Sequence, residues 1–287
     1  MIDVIYDMET QDPDDFFTLC LLVAHPKVKL RAVTLTPGTD AQVGIARYLL
    51  EKADVNIPVG GRENKQSSCV SQWHYNFLGQ VPAKSGWRRS ADVIVDTLKE
   101  FPEATILTGG PLTNLGEALD KGAKIKRWVA QGGFAGDNVV PPENRLPKFA
   151  GMIACQTFNF NGNLKAAKQA LSSPNIEKRI LVSKNVCHGV VYDKTMHEFF
   201  KRNRPASIGY DYIFNGMEYY LERNPSGKKF HDPLAACVAI DDSICQFAEV
   251  ELFHNRDGWS SGLTPGSNTK ISVGVDMPRF VDVLVAK

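Results

Sequence analysis

Five carboxylates fall within nine residues near the start of the chain, in the run Val4-Ile5-Tyr6-Asp7-Met8-Glu9-Thr10-Gln11-Asp12-Pro13-Asp14-Asp15. Asp7 and Glu9 end an apolar, strand-like segment, and Asp12, Asp14 and Asp15 crowd the turn into a following helix. Helix capping accounts for one or two of them, because acidic side chains accept backbone N–H bonds and suit the positive end of a helix dipole. Pro13 also fits an early helical position. Capping does not account for all five. Like charges held this close must take up protons or be compensated by a cation. A divalent ion supplies that compensation, and an all-oxygen donor set favours calcium or magnesium.

Further donors must come from elsewhere in the chain. Phe230-His231-Asp232-Pro233 precedes an apolar helical stretch, with Pro233 again at an early helical position. Read alone, Asp232 is a helix cap and His231 its neighbour. Paired with the first acidic loop, Asp232 becomes a metal ligand and His231 a proton donor or leaving-group contact. Leu107-Thr108-Gly109-Gly110-Pro111-Leu112-Thr113-Asn114 is a third strand-to-helix turn. Its glycines permit close backbone approach, so the carbonyl of Gly109 or Thr108 could reach an ion. It matches neither the phosphate-loop pattern nor the dinucleotide fingerprint.

The elements that must carry these residues alternate. Ile2–Tyr6, Leu30–Thr36, Ile57–Val59, Thr105–Thr108, Arg127–Ala130 and Arg179–Val182 read as strands, interleaved with helical patterns such as Asp14–Ala24, Asp40–Lys52 and Ser90–Lys99. Glu249–Phe253, Lys270–Val275 and Phe280–Val285 make the end of the chain strand-rich. Arg62–Trp87 and Gly132–Ala154 lack periodicity and read as irregular segments near a ligand. Such alternation predicts an α/β fold: a mostly parallel central sheet flanked by helices, in one domain over residues 1–287. Ligands of such sheets bind beyond the carboxyl ends of the strands, where the unusual residues fall.

Composition removes other classes. Thirty-three Lys+Arg against 32 Asp+Glu leave a net charge of +1, and there is no long basic run, so neither nucleic acid nor a membrane surface is an expected partner. No apolar run is long enough for a membrane span, and the N-terminus does not read as a signal peptide. Cys20, Cys69, Cys155, Cys187, Cys237 and Cys245 form no CxxC pair, which points to reduced thiols in a cytoplasmic protein rather than a zinc site.

Taken together, the motifs resemble the inosine–uridine nucleoside hydrolase family, as a divergent member. The family's opening Asp-x-Asp and later Asp-Asp are matched by Asp7-Met8-Glu9 and Asp14-Asp15. Its Gly-Pro-Leu-Thr-Asn run is matched by Gly110–Asn114, and its His-Asp-Pro helix start by His231–Pro233. Gln131-Gly132-Gly133, Gly136-Asp137-Asn138-Val139, Thr157-Phe158-Asn159 and Leu164-Lys165-Ala166-Ala167 are similar to further family segments and occur in the same order.

The resemblance implies a calcium-dependent N-ribosyl hydrolase of Rossmann-like architecture, assembled as a homodimer or homotetramer. Asp15 and Asp232 would bind Ca2+, with Asp7 or Glu9 as the remaining acidic ligand. Asp14 would accept a proton from the attacking water, and His231 would assist the departing base. Asn138 and Asn159 would hold sugar hydroxyls, and His74 would sit on the base side, with Trp73 or Trp259 as further stacking candidates. There are departures. Glu9 stands where aspartate is usual, Thr157 occupies a ribose-binding glutamate position, and Gly38-Thr39-Asp40 replaces a ribose-contacting Gly-Asn, so that Thr39 or Asp40 must substitute. A small riboside is the expected substrate. The alternatives are a catalytically silent nucleoside-binding protein and another metal-dependent hydrolase, such as a phosphatase.

Overall fold

A computed structural model describes residues 1–63 and 69–287. In chain order its strands are β1 (Ile2–Met8), β2 (Val28–Leu35), β3 (Val59–Gly61), β4 (Arg88–Arg89), β5 (Thr105–Thr108), β6 (Ile125–Gln131), β7 (Ala154–Cys155), β8 (Ile176–Val182), β9 (Val191–Tyr192), β10 (Lys228–Lys229), β11 (Cys245–Asn255), β12 (Gly258–Leu263) and β13 (Thr269–Val275). Eleven of them form one sheet in the order β4-β3-β2-β1-β5-β6-β8-β13-β11-β12-β7, and β9 pairs separately with β10. From β4 to β13 every pairing is parallel, and the edge formed by β11, β12 and β7 is antiparallel. The expected mostly parallel sheet is present.

β1 lies near the middle of the parallel part, and its alternating side chains feed two cores. Val4, Tyr6 and Met8 enter the core shared with helices Pro13–Ala24, Ile208–Arg223 and His231–Ile240. Ile5 enters the opposite core, with helices Ser90–Glu100, Thr113–Asp120 and Leu164–Ser172. Burial on both faces explains why the strand reads as a continuous apolar run. Gly209 lets Ile208–Arg223 press onto Pro13–Ala24, since a Cβ there would stand 2.3 Å from the Cys20 carbonyl oxygen.

The chain moves outward from β1 through β2 and β3 to β4, then returns to the other side of β1 at β5. That reversal opens a crevice at the carboxyl ends of β1 and β5, the usual ligand position in such sheets. Glu9–Asp12 follows β1 and Gly109–Leu112 follows β5, so both singled-out turns border it.

Three details differ from the periodicity reading. Phe280–Val285, expected as a strand, lies mostly in helix Met277–Leu284. Asp276 caps that helix by accepting the Arg279 N–H, a proline stands in its first turn, and the buried Phe280, Val283 and Leu284 follow helical spacing. Within the expected irregular stretch Arg62–Trp87, of which 64–68 lie outside the described residues, Gln72–Leu78 is helical. Finally, β12 pairs with β11 although its sequence carries little alternation. The Gly132–Ala154 segment holds only short 3-10 turns at Pro142–Asn144 and Pro147–Phe149 before β7.

Candidate metal centre

Two helix starts meet in the crevice. Asp14 and Asp15 occupy the first turn of Pro13–Ala24, and Asp232 that of His231–Ile240; all three are buried. One carboxylate oxygen from each lies within 4.8 Å of the others. Asp14 ties the two helices together, its Oδ2 accepting the His231 N–H at 3.0 Å and the Asp232 N–H at 3.3 Å. Its Oδ1 accepts from Lys228 Nζ at 3.3 Å, and Lys228 also pairs with Asp12 at 2.8 Å. Asp15 Oδ1 accepts the Glu9 N–H at 3.0 Å, which folds the acidic loop back over the helix start. Gly109 abuts the cluster: a Cβ there would stand 3.0 Å from both Asp232 Oδ1 and the Tyr6 hydroxyl.

This much buried negative charge is not balanced by the protein. Lys228 is the cation that pairs with it among the described residues, and although burial opposes its charge, Asp14 and Asp12 hold it firmly protonated. Burial first, then the neighbouring carboxylates, drives Asp15 and Asp232 well above the usual carboxylate range. The same causes lift Glu9 to about 8 and Asp12 to about 6. Asp15 Oδ2 and Asp232 Oδ1 are buried with no hydrogen-bond partner. Orphaned anionic oxygens of this kind need a proton or a metal. Calcium–oxygen bonds of about 2.3–2.6 Å suit three oxygens within such a span, so the donor set fits a hard divalent cation.

The cluster forms the floor of a cavity of 350 Å³, whose wall includes Glu9, Gln131, Phe158, Asn159 and His231. Asn159 Nδ2 donates to the Gly109 carbonyl at 3.1 Å and to Gln131 Oε1 at 2.7 Å. Phe158, 62% exposed, forms part of the cavity wall. His231 is held neutral, its affinity for a proton lowered to about 4 by burial and then by Lys228, and its Nε2 has no partner.

Of the residues expected at the site, Glu9, Asp14, Asp15, Gly109, Asn159, His231 and Asp232 converge on this cavity. Asp7 does not line it. Asp7 Oδ1 accepts from Thr34 Oγ1 at 2.7 Å and Asn114 Nδ2 at 2.8 Å, a buried brace between β1, β2 and helix Thr113–Asp120. Thr39 caps helix Asp40–Lys52, and Asp40 accepts from Trp87 Nε1 at 2.6 Å. Asn138 donates to the Ser261 carbonyl and Thr157 precedes helix Phe158–Gly162; neither is among the residues that line the cavity. His74 is buried beside Phe16 and Trp73, with Nδ1 2.9 Å from Ser71 Oγ. Trp259 is buried against Phe160. None of these aromatic residues lines this cavity. Sequence reasoning passed over Lys228, Gln131 and Phe158 as functional, although each lies in or beside a quoted motif; Lys228, four residues before Asp232, was legible as a counter-charge.

Fold and site together define an α/β protein with a buried carboxylate cluster, of a kind that could hold a cation, at the switch point of a parallel sheet. Residues 4–282 match the model of the inosine-uridine preferring nucleoside hydrolase family, and the chain belongs to that family. An uncharacterized protein of Aquifex aeolicus (strain VF5) is 28% identical over 247 residues, covering 83% of this chain and 82% of the relative. An inosine-guanosine nucleoside hydrolase superposes with a TM-score of 0.75 at 17% identity, over 100% of this chain and 98% of the other. The inosine-uridine preferring nucleoside hydrolase of Bacillus anthracis gives 0.74 at 19%, over 99% and 98%. Family and fold support hydrolysis of nucleoside N-glycosidic bonds as the general reaction.

Proposed function

We propose that the chain hydrolyses the N-glycosidic bond of a ribonucleoside or related riboside, with Asp14, Asp15 and Asp232 holding a calcium ion at the floor of the cavity. The observation that carries this reading is the pair of buried, partnerless oxygens, Asp15 Oδ2 and Asp232 Oδ1, within one oxygen cluster. When bound, such an ion acidifies water and fixes sugar hydroxyls by charge.

Asp14, the acceptor the family resemblance implies, spends Oδ2 on two main-chain amides and Oδ1 on Lys228. Those three contacts occupy both of its carboxylate oxygens. Glu9 lines the same cavity, and its carboxylate makes no hydrogen bond among the described residues. Burial and the charges of Asp14 and Asp12 raise Glu9 to about 8 without an ion, and a cation held nearby would favour its carboxylate, the form a general base needs. We therefore assign proton removal from the attacking water to Glu9, with Asp14 fixing the two helix starts.

Phe158 offers an exposed face on which a base can stack. Asn159, its Nδ2 already committed, presents Oδ1 to a sugar hydroxyl. His231, neutral near pH 7, assists the departing base by donating a hydrogen bond rather than as a pre-protonated acid. The six free cysteines accord with a reducing, cytoplasmic setting.

Base release from a nucleoside panel tests the reading. Glu9→Gln should lower kcat by about 10²-fold or more, the usual contribution of a general base. Asp14→Asn should act chiefly through calcium affinity, and Asp232→Asn and chelation should each abolish turnover. Full activity in Asp232→Asn, or after chelation, would overturn the proposal.

A further inference from the structure

A patch of the opposite sign borders the acidic cavity. The short helix Lys184–Cys187 runs beside its wall, with Cys187 Sγ 3.3 Å from Nε2 of the wall residue Gln131. His188 follows that helix and packs on His231, ring centroids 4.9 Å apart and planes at 34°. Lys148 Nζ and Lys229 Nζ each lie 3.2 Å from the same atom, His188 Nδ1. A neutral imidazole nitrogen offers one lone pair and can accept from only one ammonium at a time.

The remaining contacts of these lysines are weak counterweights. Lys148 lies 5.5 Å from the centre of the Phe149 ring, and Lys184 Nζ donates to the Gln156 carbonyl at 2.7 Å. Among the described residues none of Lys148, Lys184 and Lys229 pairs with a carboxylate, whereas Lys228 has two. Burial, followed by His231 and these three lysines, drives the proton affinity of His188 down to about 3, so the ring adds no charge of its own. Several ammonium groups gathered around one neutral ring repel one another, and an anion relieves that repulsion. The position matters as well, since an anionic substrate approaching Glu9, Asp12 and Asp14 would otherwise meet like charge.

We propose that Lys148, Lys184 and Lys229, arranged about His188, form an anion-binding subsite at the rim of the cavity, and that the preferred substrate is a riboside bearing a carboxylate or a phosphate. The inference rests on the cavity being the riboside site. A carboxylate on the base and a phosphate on the sugar are two sources of the same recognition chemistry, and matched substrates separate them.

Nicotinamide riboside and nicotinic acid riboside differ by a base carboxylate, and uridine and uridine 5′-monophosphate by a sugar phosphate. The wild type should favour the anionic member of one pair, which identifies the source. K148A/K229A should lose about tenfold or more in kcat/KM for that member, the worth of a charge-assisted contact, while retaining its activity on the neutral partner. K148R/K229R should keep the preference. Preference for the neutral member in both pairs, or an equal change for both members in K148A/K229A, would overturn the subsite. If the wild type cleaves none of the four, the hydrolase reading fails separately, and calorimetric titration with nicotinate and with inorganic phosphate decides the subsite. Binding weakened about tenfold in K148A/K229A would support it, and absent or unchanged binding would overturn it.

Discussion

Asp7 and Asp15 are both buried aspartates of the same acidic run, yet their surroundings give them different work. Asp7 has two neutral donors on one oxygen and none on the other, and burial lifts it to about 7 against those hydrogen bonds. Its folded-state value lies above the unfolded one near 4, so the stability it contributes is intact below pH 4 and is lost as the pH rises through about 7. Asp7→Asn keeps an acceptor for Thr34 and Asn114 and removes the buried charge. It should gain stability over the wild type as the pH rises from 4 to 8, by roughly 4 kcal/mol at the upper end. Urea unfolding at pH 5 and pH 8 checks this, and an equal difference at the two pH values would contradict it. The clustering of acids was legible in sequence because the run from Val4 to Asp15 carries five carboxylates and no basic residue. Which of Asp7 and Glu9 reaches the cavity was not, because that depends on Thr34 and Asn114, brought in from other elements.

At the scale of elements, the site is two helix starts held against two strand ends. The first-turn acids of Pro13–Ala24 and His231–Ile240 suit the dipoles of their own helices, and Asp14 caps the second helix from the first. Gly109, following β5, fixes the spacing. Gly109→Ala would place a methyl 3.0 Å from Asp232 Oδ1 and force the carboxylate aside. Calcium affinity should fall by about 10–100-fold, as for other changes beside a metal ligand, while the melting temperature in chelator changes little. Titration calorimetry together with thermal unfolding separates these effects. Periodicity located most strands and helices, since burial on two faces leaves long apolar runs. It misread Phe280–Val285, where a short β-branched segment is helical because Asp276 and Pro278 set its start.

For the whole molecule, the buried carboxylate cluster couples stability to pH and, if it holds the proposed ion, to metal. Without an ion, Asp12 at about 6, Glu9 at about 8 and the strongly raised Asp15 and Asp232 favour the protonated fold. Their contribution is complete below pH 4 and is lost as the pH climbs through those folded-state values. Chelated protein should therefore melt at progressively lower temperature between pH 5.5 and 8.5. Calcium should flatten that slope and, at a hundredfold excess over its Kd, add about 2.7 kcal/mol. Parallel slopes with and without calcium would count against ion binding at these carboxylates. The mostly parallel sheet was legible from alternation, but the place where its strand order reverses was not, because alternation does not fix which strands are neighbours. The rim lysines were not, because Lys148, Lys184 and Lys229 come from three separate segments with no shared motif.

Asp14 and Asp232 stand 218 positions apart in the chain yet share one centre. Translation delivers the first long before the second, so a nascent polypeptide carries an uncompensated anionic loop until nearly all of it has emerged. Capture of the proposed ion would then come late in biogenesis, as a seal on finished molecules, and a chain terminated ahead of Asp232 would lack one of the three carboxylates that would hold it.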